Sequence, residues 1–209
     1  MEGSTFIYFL SASILLTLAP GPDILYLLAK SLSDGAKAGI ILACGLVSGI
    51  IFHTTLVMVG VAALIKSSAT AMLLLKIFGA AYLLFLAFGA FKSARAKKQL
   101  GMSNEKLAIK KPLALYKRGV LMNVLNPKVL LFFLAFLPQF VNLSQDGASL
   151  QILFLGFVFA AQALIIFSVV AICAGRVRNL ILRKKNIGRV LNFVEALVLL
   201  LIAVGLILF

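Results

Sequence analysis

At 209 residues the chain has the length of one soluble domain, but 63% of it is hydrophobic and only 12% is charged, against roughly 45–50% and about 25% in soluble proteins. A globule of this size keeps too much surface in water to hide that surplus, so the surplus faces lipid. The net charge of +14 does not point to nucleic acid, because a basic patch needs a water-exposed fold to carry it. It sits on loops, where it reports orientation and contact with anionic lipid.

A spanning helix takes roughly 20 apolar residues, and six such segments follow one another: 6–29, 38–65, 69–91, 119–141, 150–174 and 190–209. The opening Met1-Glu2-Gly3-Ser4-Thr5 lacks the basic region of a cleaved signal, and the apolar run behind it is long enough to span. The first connection carries Lys30 and Lys37. The third carries nine basic residues from Lys92 to Arg118, and the fifth carries six from Arg176 to Arg189. Thus 17 of the 20 basic residues fall on one side, which the positive-inside rule makes cytoplasmic. Both termini are expected outside.

The two halves repeat. Gly21-Pro22-Asp23 and Asn126-Pro127-Lys128 each open an unbroken apolar run in the first span of a half. Three spans per half is an odd number, so the halves have opposite orientation. The sequence predicts an all-α membrane protein of six transmembrane helices in two inverted three-helix repeats, the first helix of each half broken at proline. The repeats occupy residues 1–91 and 119–209, with a basic cytoplasmic loop at 92–118. Paired interruptions in corresponding positions mark the midplane site of a transporter. Pro20 and Pro22 free the carbonyls of Leu16 and Leu18, Pro127 frees that of Asn123, and Gly21 lets the chain bend. The amides of Asn123 and Asn126 are the expected replacement partners. Freed backbone is tolerated at membrane depth only where it is buried or lines a cavity. Pro112 and Pro138, near the membrane edges, read as simple kinks.

Asp23, Lys76, Lys128, Glu195 and His53 lie inside spans. Each charge would cost about 2.5–3.5 kcal/mol at the bilayer centre, so these groups face the bundle interior and pair. Asp23 and Lys128 stand directly after the two breaks. An anion and a cation there suit the ammonium and carboxylate of a zwitterion; the competing reading is a structural ion pair with no ligand between them. The candidate substrate-binding residues are therefore Pro20, Gly21, Pro22, Asp23, Asn123, Asn126, Pro127 and Lys128. Asp23, His53 and Glu195 are the candidates for proton coupling, His53 because imidazole titrates near neutrality, although a packing histidine is an equal alternative. Lys76 and Glu195 read as a structural bridge between the third spans of the halves. Gln162 faces either substrate or a neighbouring helix. Gly45-x-x-x-Gly49 and Gly156-x-x-x-Ala160 allow close helix approach, within the chain or in a homodimer.

No phosphate-binding G-x-x-x-x-G-K-S/T loop is present, so uphill transport must draw on an ion gradient. At about 150 mV one charge is worth roughly 3.5 kcal/mol, a concentration ratio of a few hundred. Cys44 and Cys173 form no metal or redox spacing, and no metal site, cofactor or catalytic residue is expected. Two alternatives remain: a transmembrane thiol-redox conduit through the cysteines, and a divalent-cation exporter.

Leu18-Ala19-Pro20-Gly21-Pro22-Asp23, followed by a glycine-rich second span, resembles the opening of the lysine exporter (LysE) superfamily, most closely its homoserine/threonine exporter (RhtB) branch. Lys76-x-x-Gly79-Ala80-Ala81-Tyr82-Leu83 is similar to that family's third span. Asn123-x-x-Asn126-Pro127-Lys128, with Phe132-Phe133 and Pro138-Gln139-Phe140 beyond it, is similar to its fourth. Glu195 departs from the pattern, which has a small residue there. The resemblance covers nearly the whole chain. It implies a non-enzymatic carrier of the bacterial inner membrane that exports amino acids or close derivatives, with protons as coupling ion, lipid as surroundings and no nucleic acid as partner.

The topology is checked by cysteine-accessibility labelling in a background lacking Cys44 and Cys173. An impermeant reagent should reach both termini of intact cells and spare the 92–118 loop. Labelling of that loop would overturn the map and the inverted repeat with it.

Overall fold

The computed structural model describes residues 3–65, 69–95, 111–142, 147–183 and 187–208. They form eight α-helices: α1 Gly3–Leu18, α2 Pro22–Asp34, α3 Ala36–Ile65, α4 Ala69–Arg95, α5 Pro112–Val124, α6 Pro127–Leu131, α7 Ala148–Arg183 and α8 Ile187–Leu208. After α6 the helix widens into a π turn over Phe132–Phe136 and tightens into a 3-10 turn over Leu137–Phe140. The described residues contain no strand.

Proline sets three of the helix starts. Pro22, Pro112 and Pro127 each open a helix, where a missing N–H breaks no intrahelical bond and the fixed φ already suits the helix. Pro112 therefore begins α5, and Pro138 lies in the 3-10 turn; neither is the isolated kink expected of it. Gly35, with φ 87°, ends α2 and gives its N–H to the Ser31 carbonyl, the left-handed stop that glycine makes without penalty.

Helices α3, α4, α7 and α8 are each long and apolar enough to cross a membrane. The other two crossings are bent pairs: α1 with α2 at 54°, and α5 with the Pro127–Phe140 segment at 48°. At 1.5 Å rise per residue, each bent pair still spans about 37–39 Å end to end, more than the roughly 30 Å of the hydrocarbon core. Counting each pair as one span gives six, broken where the prolines fall.

The first span is longer than its apolar run. It continues to Asp34, so Lys30, read from the sequence as a loop residue, is a fully buried helix residue in a salt bridge with Asp34. Likewise α5 starts at Pro112, ahead of the expected 119, and carries Lys117 and Arg118, while α7 runs past 174 to Arg183. Lys66, Lys97, Lys98, Glu105, Lys106, Lys110, Asp146, Lys184 and Lys185 lie outside the described residues.

Helix α3 is the centre of the bundle, packed on α5 and α7, and α4 packs along α8. Large apolar side chains such as Ile51, Phe85, Phe88, Phe157 and Ile165 point outward, as lipid-facing surface requires. The α3–α5 crossing is made of backbone. A Cβ on Gly45 would run into the Tyr116 carbonyl, one on Gly119 would lie 2.5 Å from the Leu42 carbonyl oxygen, and one on Gly49 would lie 2.7 Å from Asn123. Gly156 meets Thr54 of α3 in the same way. The small-residue motifs thus serve packing within the chain.

Gly45→Ala should destabilise the purified protein by about 1–3 kcal/mol through overpacking, lowering its melting temperature by roughly 2–4 °C per kcal/mol. Gly60, with open space around its missing Cβ, supplies the control: Gly60→Ala should melt at or above the parent temperature. Equal melting of the two variants would show that the crossing is loose.

Candidate substrate site

The site grows out of the two breaks. Helix α1 stops at Leu18, and Pro20 and Pro22 supply no N–H across the gap. The Ala19 carbonyl, left over where the helix stops, accepts a hydrogen bond from Lys128 of the other half, whose Nζ donates to it at 2.8 Å. Gly21 has φ −126° and ψ −174°, an extended conformation open to any residue. Its glycine identity answers to space: a Cβ there would lie 3.3 Å from Lys128 Nζ and 3.6 Å from Glu195 Oε1.

At the second break α5 ends at Val124, and Pro127 cannot serve the Asn123 carbonyl. That oxygen accepts the Asn126 N–H at 2.9 Å and His53 Nε2–H at 3.0 Å. The replacement is therefore an imidazole from α3 together with backbone, and neither asparagine side chain does the work expected of it. The Asn126 side chain does two other things. Its Oδ1 accepts the Lys128 N–H at 3.0 Å, capping α6, and its Nδ2 donates to Asp23 Oδ2 at 2.8 Å. On the opposite side Gln162 of α7 donates to Thr17 Oγ1 at 2.9 Å and to the Ser13 carbonyl at 3.4 Å, bracing the last turns of α1.

Asp23, Lys128 and Asn123 meet in one small cavity of about 20 Å³, room for one or two waters. All three are more than nine-tenths buried. Asp23 and Lys128 form no direct salt bridge. Asp23 Oδ1 and Asn123 Oδ1 have no hydrogen-bond partner, so the cavity presents two unsatisfied acceptors beside an ammonium that gives one of its three protons to Ala19. Thr17 adds a hydroxyl; Leu16, Ile24, Ile50, Val129, Phe159 and Phe167 supply apolar wall. Toward the termini the cavity is shut by a cluster of mutually tilted rings. Phe159 lies 5.3 Å from Phe132, and Phe132 and Phe140 each lie 5.0 Å from Phe136, centroid to centroid. Beyond this wall a groove of about 460 Å³ opens between α1 and α8. At the other end Tyr26 is buried beneath the Arg118 guanidinium, 5.8 Å from its ring centre, next to the Lys30–Asp34 pair.

Of the predicted site residues, Pro20, Gly21, Asp23, Asn123, Asn126 and Lys128 are buried around the two breaks, while Pro127 is half-buried and Pro22 is exposed at the start of α2. His53 is fully buried but holds Asn123 from outside the cavity, its Nδ1 without a partner. The expected Lys76–Glu195 bridge does not form; Glu195 turns toward Lys128. Sequence reading missed Thr17, Ile50, Phe159 and Phe167. Thr17 left a faint signal as a hydroxyl three residues before a proline. The others are apolar residues in apolar spans, and nothing in composition separates a wall from a lipid face.

Residues 14–208 match the family described as LysE type translocator. The chain belongs to the LysE family of translocators. It is similar to the leucine efflux protein of Salmonella typhimurium, with 27% identity over 88% of this chain and 85% of the relative. It is also similar to an uncharacterized membrane protein of Vibrio cholerae, with 31% identity over 83% of each. No solved structure matches. This LysE translocator is a multi-pass membrane transporter and not an enzyme. Cys44 and Cys173 are free and exposed on the bundle surface, away from the cavity, so the redox alternative gains no support. Among the described residues no group of three metal-ligating side chains comes together, which leaves the divalent-cation alternative without a site there.

Asn126, like Lys128, joins both breaks. Asn126→Ala should lose about 1 kcal/mol of helix capping and leave Asp23 without its donor, which adds about 1–3 kcal/mol. Asn126→Asp keeps a capping oxygen but sets a second carboxylate against Asp23. Melting curves should therefore place both variants well below the parent. Full stability of Asn126→Asp would mean that the bond to Asp23 contributes nothing.

Proposed function

We propose that this translocator exports amino acids or close derivatives from the cytoplasm across the inner membrane in exchange for protons, both termini facing outward. The observation that carries the reading is the unpaired placement of Asp23 and Lys128 in one buried cavity. Two charges more than nine-tenths buried would gain most by collapsing onto each other, yet each is tied to a separate partner, Asn126 and the Ala19 carbonyl. An ammonium suits the open acceptors of Asp23 and Asn123, a carboxylate suits Lys128, and the apolar wall suits an aliphatic side chain. The likeness to a leucine efflux protein supports the same substrate class.

Proton coupling follows from competition for one group. A protonated Asp23 has no charge to offer an ammonium, so substrate and proton exclude each other there, as exchange requires. His53 is committed to Asn123, and we assign it to holding the break. The helix contacts support two inverted repeats: the second spans of the halves, α3 and α7, pack together, as do the third spans, α4 and α8. The first span of each half packs on the second span of the other, α2 on α7 and α5 on α3. Alternating access is then a rocking of one repeat against the other about the site.

The test compares Asp23→Asn, Lys128→Met and their double variant, each normalised to its level in the membrane. We expect Asp23→Asn to abolish uphill export, Lys128→Met to weaken substrate binding, and the double variant to insert yet stay inactive. If the two residues form only a structural pair, either single change strands a buried charge at about 3–5 kcal/mol and the double change restores the protein. Restored export in the double variant would overturn the zwitterion site.

A further inference from the structure

Glu195 is the one ionisable residue near the site that the exchange scheme leaves without a task. It belongs to α8, is half-buried inside a span, and forms no bridge with Lys76. Its carboxylate and the Lys128 ammonium converge on the bare Cα of Gly21, 3.3 Å and 3.6 Å respectively from Nζ and Oε1 to the place a Cβ would fill. Glu195 does not line the cavity. It approaches the ammonium from the α8 side, across the Gly21 gap and without forming a salt bridge with it, and leaves the ligand side open.

We infer that Glu195 is a stand-in for the substrate carboxylate, balancing the charge of Lys128 across the Gly21 gap while the site is empty and giving way to the substrate's own carboxylate when it arrives. The inference rests on the exporter reading above and follows from its charges. When Asp23 is protonated for the return step, Lys128 is a lone cation in an apolar bundle, and moving it unaccompanied is costly. With Glu195 beside it, the empty protonated site is neutral. When substrate is bound, its own carboxylate takes that place. The gap at Gly21 is what makes the exchange of partners possible, because the two side-chain ends pass there with no β-carbon between them. A competing internal carboxylate also weakens apparent substrate affinity, in proportion to the fraction of time Lys128 is free of it.

The experiment uses the full-length carrier in proteoliposomes loaded with a mixture of the common amino acids, with the one that exchanges fastest as probe. Substrate–substrate exchange never passes through the empty protonated state, whereas uphill export driven by a pH gradient must. Glu195→Gln should keep exchange, with KM lowered about five-fold, and should lose at least about ten-fold in uphill export; Glu195→Asp should restore the export. An unchanged ratio of export to exchange, or joint loss of both at normal membrane level, would overturn the role of Glu195 while the parent's own exchange leaves the exporter reading standing. Absence of exchange by the parent with every amino acid would instead sink that reading, and this inference with it. If Glu195→Gln fails to accumulate in the membrane, adding Lys128→Met should restore its level, since Glu195 acts through Lys128; no recovery would overturn the inference.

Discussion

A backbone carbonyl freed inside an apolar bundle has no water to turn to, and this constraint shapes the centre of the molecule. The two breaks create the need, and each time a side chain from elsewhere in the bundle meets it: Lys128 reaches across to the Ala19 carbonyl, left over where α1 stops, and His53 reaches from α3 to the Asn123 carbonyl, which Pro127 cannot serve. Gln162 braces the turn before the first break in the same spirit. The breaks are therefore tied into the rest of the structure, and each tie crosses between the two halves of the chain. Movement of one half against the other would have to loosen a bond that a freed backbone group depends on.

The same economy explains why the charges are not paired. Asn126 caps α6 with one end of its amide and steadies Asp23 with the other, so a neutral residue fixes the acid where a cation would otherwise be drawn in. Lys128 is held back by a carbonyl. Both poles are restrained by direct hydrogen bonds to neutral groups and are not bonded to each other. The packing around them is unyielding where it must be, at the backbone crossing of Gly45 and Gly119. It departs from regular α-helix where the fourth span continues past its break, through the π and 3-10 turns of residues 132–140.

Much of this was legible in the sequence. The prolines located both breaks, and two of the intramembrane charges, Asp23 and Lys128, come together in one buried cavity between them, because in lipid a charge or a missing N–H is expensive enough to carry information. The membrane edges were less legible. Lys30 and Arg118 are basic residues that look like loop but sit on helices, Lys30 with an acidic partner one turn away, since a paired or snorkelling cation is tolerated near the interface. The role of Gly21 was misread, as its value lies in absent volume and its dihedral angles are ordinary. The partner of Glu195 was misread because spacing along a chain does not tell which neighbour an α8 side chain will face. The apolar wall of Ile50, Phe159 and Phe167 left no trace, since lipid and substrate ask for the same residues.

The cavity between the breaks holds a water or two and no more. On the proposed function, an amino acid enters this space only by prying rings and helices apart, and the work of doing so is subtracted from whatever its ammonium and carboxylate gain. Apparent affinity falls by the fraction of carriers already open. Under the function proposed above, a carrier with such a lock idles while its cargo is scarce and turns when the cargo accumulates, a relief valve whose threshold is set by the tightness of a closed space.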